Sequence, residues 1–373
     1  MKTKNIFKAI LLSGAVILSS CSSDDPDPVA CVVDAPMTYE FSHEGASTVS
    51  YSGQAGRLET AKLVYNALNA AQGSATIDRT ALDLIIDNGN SKLITKTAEN
   101  DVNRSHIIDD LNSILDTYCA NSATYDLGTV AVEGVAGWKG SYQLDARGWE
   151  GDQQFAKMLI GALCLEQVNY DYLTKMDVDN EDRTYSNFTD GVPNGNNNVY
   201  TKREHYYDEA YGYVYGLDDS DLDADINNGL LLGKYLNKHS AGNSYSGVDY
   251  RQRVYDAFKK GRQAVVDNCQ EELDLQITEI NNCLSKVVAW HAQNYLTSAA
   301  GALGTDDFFH DVSEAWGFVY SLQWTKVDGA PLFSHSQVET MLETLDSGAG
   351  AWSLSAETLN NMATDINNTV TFD

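Results

Sequence analysis

The feature that most constrains this chain is a motif it carries twice. His205-Tyr-Tyr-Asp208-Glu209-Ala210-Tyr211-Gly212-Tyr213-Val214-Tyr215 returns 105 residues later as His310-Asp-Val-Ser313-Glu314-Ala315-Trp316-Gly317-Phe318-Val319-Tyr320. Upstream, Leu165-Glu166-Gln167-Val168-Asn169-Tyr170 aligns with Trp290-His291-Ala292-Gln293-Asn294-Tyr295, each near the end of a long apolar run. The spacing between the two parts is about 20 residues longer in the first copy, a difference absorbed by the acidic stretch 177–198. A unit repeated at this length predicts a fold assembled twice from one helix pair.

Apolar spacing supports that architecture. Leu58, Ala61, Tyr65 and Leu68 follow the 3, 4, 3 rhythm of one helical face. Comparable stripes run through 102–119, 155–173, 226–236, 250–266 and 273–296, with weaker ones at 337–345 and 355–366. Residues 38–52 alternate around His43-Glu44-Gly45, as a short hairpin does. The expectation is an all-α, two-lobed helical bundle from an internal duplication, with a small N-terminal β-hairpin. Its related halves span about 37–225 and 226–373. There is no βαβ alternation, no dinucleotide fingerprint and no P-loop.

The first residues read as an address. Lys2, Lys4 and Lys8 precede a run of about thirteen apolar residues, short of the ~20 needed to span a bilayer. Leu18-Ser19-Ser20-Cys21 then has the form of a lipobox, so residues 1–20 are expected to be a lipoprotein signal peptide with Cys21 lipidated. Residues 21–36, opening Ser22-Ser23-Asp24-Asp25-Pro26-Asp27-Pro28, read as an acidic tether. Removing the three lysines leaves 22 basic against 53 acidic residues, a net charge of −31. Such a balance excludes a nucleic-acid partner, which needs clustered Lys and Arg. The expected partner is instead outer-membrane lipid through Cys21, at an outer-membrane, surface-exposed location. Five cysteines remain besides Cys21, an odd number, and none sits in a CxxC pair.

The motif carries the only chemistry that stands out. On a helix His205, Asp208, Glu209 and Gly212 share a face, and so do His310, Glu314 and Gly317. A His and a carboxylate four residues apart can hold a divalent metal such as iron, zinc or calcium. Glu166 and His291, aligned on the preceding helices, are placed to complete each cluster. The same pattern also describes an ordinary helix-stabilising pair beside a tightly packed glycine. Ser313 in place of Asp208 makes the second copy the poorer metal site. Tyr206, Tyr207, Tyr211, Tyr213 and Tyr215 suit either stacking on sugars or core packing. Asp219, Asp221, Asp223 and Asp225 alternate as in a calcium loop but lack its glycine and terminal glutamate. No HExxH and no GxSxG occurs, so no catalytic residue is assigned and a non-enzymatic role is expected.

Thr38-Tyr-Glu-Phe, Ser47-Thr-Val-Ser-Tyr-Ser-Gly-Gln54 with Arg57-Leu58, and Glu204 to Tyr213 resemble an uncharacterised family of Bacteroidota lipoproteins, a domain of unknown function, over nearly the whole mature chain. The chain also resembles, remotely, the imelysin-like proteins, two-lobed helical bundles of the periplasm and outer membrane linked to iron uptake. Their metal motif is Gly-x-His-x-x-Glu; here His205-x-x-Asp208 keeps the spacing, with Asp for Glu and Arg203 at the glycine position. The resemblance implies binding of a metal ion or metal-containing nutrient. A metallopeptidase-like hydrolase is implied by analogy alone. The rival reading from the residues is a structural or adhesive surface module recognising glycan or protein.

Overall fold

The duplicated segments do form helices, and the way they dock explains the rest of the fold. A computed structural model of the chain describes residues 31–70, 73, 76–87, 91–177, 200–217, 230–240 and 247–372. The signal, Cys21, most of the tether and nearly all of both acidic loops lie outside these residues. Along the chain run β1 (Ser42–His43), β2 (Ala46–Ser47), α1 (Ser52–Leu68), α2 (Arg79–Asp87), α3 (Leu93–Lys96) and α4 (Arg104–Asp126). Next come β3 (Gly137–Lys139), β4 (Tyr142–Leu144), α5 (Gly151–Leu159), α6 (Lys202–Tyr215), α7 (Leu232–Asn237) and α8 (Tyr250–Val266). The last are α9 (Gln270–Ala302), α10 (Asp307–Ser321), β5 (Lys326–Val327), β6 (Ala330–Pro331), α11 (His335–Leu345) and α12 (Ala356–Thr369). The strands form three two-stranded antiparallel pairs, β1–β2, β3–β4 and β5–β6. The architecture is therefore all-α with a small N-terminal hairpin.

That hairpin turns at Glu44 and Gly45, both with positive φ (51° and 82°), as a tight two-residue connection requires. The apolar stripe at 155–173 becomes two kinds of helix. α5 continues as a π-helical stretch, Ile160–Asp171, then a 3₁₀ turn, Tyr172–Asp177. The wider winding follows a close approach: a Cβ on Gly161 would lie 2.5 Å from Ser321 Cα, and Gly161 N–H donates to Ser321 Oγ at 2.8 Å. α2 is amphipathic but only nine residues long, α3 has four residues, and the three-residue strands β3 and β4 are too short for a period to register, so periodicity does not reveal them.

α9 is the spine, with α8, α10 and α12 packed along it. α10 also packs on α5, so a second-copy helix closes over a first-copy one, and residues 33–373 form one compact unit. The two related halves thus share one core. The reason is visible in α10, where Val312 to Ser321 are all buried: a helix that is apolar all round must be covered on every side. Cys164 and Cys283 are buried in the core, as expected of small hydrophobes, whereas Cys31 and Cys269 are each disulfide-bonded.

Each copy of the motif docks by its glycine. A Cβ on Gly212 would sit 2.6 Å from Tyr51 Cβ and 2.9 Å from Gln54 Cβ of α1. On Gly317 it would sit 2.4 Å from Lys157 Cβ of α5 and 3.1 Å from Met158 N. Gly212→Ala and Gly317→Ala are each expected to cost about 1–3 kcal/mol in urea denaturation through overpacking. Gly301→Ala on α9, where nothing lies within 4 Å, should move the midpoint the other way, by up to about 1 kcal/mol of helix propensity.

Candidate functional site

The two copies of the motif make the same contacts, residue for residue. In the first, Gln54 Nε2 donates to Glu209 Oε1 at 2.7 Å and Ser50 N–H donates to Asp208 Oδ2 at 3.1 Å. In the second, Lys157 Nζ lies 2.7 Å from Glu314 Oε1 and Glu150 N–H donates to Ser313 Oγ at 2.9 Å. His205 Nε2 stands 3.8 Å from Glu209 and His310 Nε2 3.9 Å from Glu314. Each histidine stacks on a tyrosine, His205 on Tyr200 (4.7 Å) and His310 on Tyr142 (4.9 Å). The glycine thus admits a neighbouring helix. The glutamate accepts a donor from that helix, and the Asp or Ser accepts a backbone N–H at its start. Both Asp and Ser can accept, which accounts for the exchange of Asp208 for Ser313.

The seven residues expected to share a metal are spread over separate networks. Asp208 and Glu204 are fully buried and held by Arg262, whose Nε donates to Asp208 Oδ1 at 2.9 Å and Nη1 to Glu204 Oε1 at 2.8 Å. Tyr39 Oη donates to the same Asp208 oxygen at 2.8 Å. Burial pushes Asp208 above the usual carboxylate range, even though Arg262 pulls the other way. Glu166 is buried with both oxygens engaged, Oε1 by Asn100 N–H (2.9 Å) and Nδ2 (3.1 Å), Oε2 by Gln167 Nε2 (2.7 Å). His291 Nε2 lies 3.1 Å from His239 Nε2. Burial holds both histidines low, His239 at about 4, so both are neutral at pH 7. Among the described residues no group of three or more His, Cys, Asp and Glu side chains is placed to hold a metal ion. Asp208 and Glu166 are engaged by partners in the fold, while His205 and Glu209 stand 3.8 Å apart, with only Glu209 Oε1 taken, by Gln54.

The second copy sits in a wider polar network. Burial pushes Glu314 up, but Lys157 and His310 outweigh it and hold the carboxyl at about 2. Tyr235 Oη also donates to Glu314 Oε1 at 3.0 Å. His310 Nδ1 lies 2.7 Å from Glu150 Oε2; burial lowers its pKa, but Glu150 more than compensates and raises it. Asp152 is pushed up to about 7, first by burial and then by Glu150.

Two cavities open beside these helices. One, about 240 Å³, is lined by Asp110 of α4, Asp145 and Trp149 between β4 and α5, Trp316 of α10, and Asp346 after α11. Asp145 Oδ1 accepts the backbone N–H of Arg147 (2.7 Å) and Trp149 (2.9 Å). Trp316 Nε1 donates to Asp346 Oδ2 at 3.0 Å, and Tyr320 Oη to Asp110 Oδ2 at 2.7 Å. Burial raises all three acids, and they raise one another: Asp346 acts on Asp145, and Asp110 on Asp346. Trp149 is buried and close enough to Asp346 to help hold that carboxyl down. Its Nε1–H nevertheless has no well-formed hydrogen bond among the described residues. The other cavity, about 490 Å³, is lined by Asp101, Glu166, Tyr170, Trp324, Phe333 and His335, among others. Of all these residues, only Glu166, Tyr170, Trp316 and Tyr320 belong to the duplicated segments singled out in the sequence. The rest come from separate elements, with no shared motif to mark them.

Two outcomes follow. Arg262→Met leaves Asp208 and Glu204 as uncompensated buried charges and is expected to cost about 3–5 kcal/mol in denaturant unfolding. Asp152 and His310, both raised, contribute stability that is full below their ordinary values of 3.8 and 6.5 and lost as pH rises through their folded values. Glu314, held low, contributes above 4.5 and loses that contribution as pH falls towards 2. His239 and His291, held low, act in the opposite sense below pH 6.5, so the check is differential: the urea midpoint of Asp152→Asn should rise relative to that of the parent chain between pH 5 and pH 8.

Comparison with known proteins adds one assignment. No curated protein and no solved structure matches the chain. Residues 36–373 match the model of a domain of unknown function, DUF4856, and with most of the chain covered the protein belongs to that family.

Proposed function

We propose that the chain is a lipid-anchored cell-envelope protein that binds glycan in the cavity between Trp149 and Trp316. The anchoring part rests on the basic start, the apolar run and the lipobox ending at Cys21. The binding part rests on one observation: a buried indole N–H with no well-formed hydrogen bond, at a small aromatic-walled cavity beside three crowded carboxylates. A buried donor left unpaired costs about 1–3 kcal/mol, a cost that a ligand acceptor would remove. Sugar hydroxyls answer both needs, donating to Asp110, Asp145 or Asp346 and accepting from Trp149 Nε1. Aromatic walls suit the C–H faces of a sugar ring, and the volume is below that of drug-sized pockets. A bare cation would satisfy the carboxylates but leave the indole unanswered. With 53 acidic residues in the chain, repulsion disfavours acidic sugars, so the ligand is a neutral hexose or hexosamine.

Calorimetry against neutral hexoses and N-acetylhexosamines, with glucuronate as acidic control, tests the reading. Trp149→Phe keeps the ring and removes the N–H; an affinity loss of about tenfold, ~1.4 kcal/mol, is expected. No heat and no melting shift with any neutral sugar would overturn the proposal. A metal on the duplicated face would have to displace Arg262 from Asp208. Protein purified without chelator is accordingly expected to carry no stoichiometric iron, zinc or calcium, and finding one would move the site to α6. Cys21→Ser should shift the protein from the membrane to the soluble fraction.

A further inference from the structure

A row of side chains from α4 and α11 links the linings of the two cavities. Asp110 lines the smaller cavity and His335 the larger. Between them, His106 Nε2 stands 3.7 Å from Asp110 Oδ2 and 3.6 Å from Glu339 Oε2, and Glu339 Oε1 stands 3.8 Å from His335 Nε2. Both histidines belong to i, i+4 pairs, His106 with Asp110 on α4 and His335 with Glu339 on α11. This juxtaposition is a feature of the fold, since the pairs lie more than 220 residues apart in sequence.

None of these three separations is a hydrogen bond. At 3.6–3.8 Å the groups are too far apart to satisfy one another directly, and gaps of that size are the ones a bridging hydroxyl or water fills. Glu339 Oε1 is buried with no hydrogen-bond partner among the described residues, and the His106 side chain is 53% exposed. The row therefore offers acceptors and donors along its length and is open to solvent at its middle. At its far end the larger cavity repeats the character of the smaller one. Tyr170, Trp324 and Phe333 supply apolar wall, while Asp101, Glu166 and Gln323 supply polar edge. Trp324 Nε1 donates to Asp101 Oδ2 at 2.9 Å, much as Trp316 donates to Asp346 across the seam.

We infer that the ligand is an oligosaccharide lying along the α4–α11 seam, one end in the 240 Å³ cavity and the other in the 490 Å³ cavity, with its middle hydroxyls on His106, Glu339 and His335. This rests on the glycan reading of the smaller cavity and adds a minimum ligand length to it. Two aromatic and acidic cavities joined by a polar row suit a chain of repeating units, because each unit presents the same alternation of C–H face and hydroxyl edge. Joining the two halves in one ligand also makes the second contact intramolecular, so affinity gains without any new type of interaction.

The test is affinity as a function of length, using malto- and chito-oligosaccharides of one to six units with the full mature chain. Affinity should rise at least tenfold between the monosaccharide and the tetrasaccharide. His106→Ala at the half-exposed middle of the row, and Tyr170→Ala in the larger cavity, should each remove most of that rise while leaving monosaccharide affinity as it was. Equal affinity at every length, or a rise untouched by both variants, overturns the inference and leaves the single-cavity reading in place. Absence of binding at every length overturns the single-cavity reading itself.

Discussion

The interaction on which the first half of the molecule depends is the burial of one guanidinium. Arg262 of α8 is fully buried and touches two other parts of the chain at once: Asp208 and Glu204 on α6, and Thr48 just after the N-terminal hairpin, whose Oγ1 accepts from Nη2 at 3.1 Å. It also lies over the Phe41 ring, 4.7 Å from its centroid. Bringing a full positive charge into a core is costly unless every donor finds an acceptor. Here that requirement fixes the register of the hairpin against α6 and of α6 against α8. Tyr39, stacked on Tyr211 at 3.7 Å, then seals the first copy of the motif under the N-terminal segment.

The same requirement governs how the duplicated face packs. A carboxylate at the i+4 position beside a glycine is admitted to the core only if the approaching helix brings a donor. In one copy that donor is Gln54, and in the other Lys157. The i+3 oxygen is consumed by a backbone N–H at the start of the docked helix, a group that would otherwise stand unpaired. A motif built this way is duplicated because the docking geometry is duplicated. Its His, Asp and Glu belong to a helix–helix joint.

Much of this was legible in the sequence, with a clear limit. Apolar period found α1, α4, α8, α9, α11 and α12 because each has one covered face, and the Glu44-Gly45 pair announced the hairpin by its backbone demands. Period could not show that α10 is covered on all sides, nor that the 155–173 stripe would relax into a π-helix against Ser321. Shared position on a helix correctly grouped His205 with Glu209 and His310 with Glu314. It could not reveal Arg262, 54 residues beyond Asp208, which already occupies the acid. Asp110, Asp145, Trp149 and Asp346 escaped notice because the cavity they line is made by tertiary packing alone, from four separate parts of the chain.

The duplication itself suggests why the docking aromatic of the second copy lines a cavity while its first-copy equivalent is sealed. Tyr211 and Trp316 are equivalent positions, one residue before the docking glycine. In the first copy the aromatic is capped by Tyr39 and flanked by Tyr51, with ring centroids 3.7 and 5.5 Å away, so the N-terminal segment fills the space. In the second copy no such segment is available, because the chain before α5 is a turn whose Asp145 folds back on the N–H groups of Arg147 and Trp149. Trp316 is left hydrogen-bonded to Asp346 at the edge of an open volume, and Trp149 with no well-formed hydrogen bond on its N–H. One docking joint, used twice with different material in front of it, yields a sealed core in one place and a concave polar site in the other.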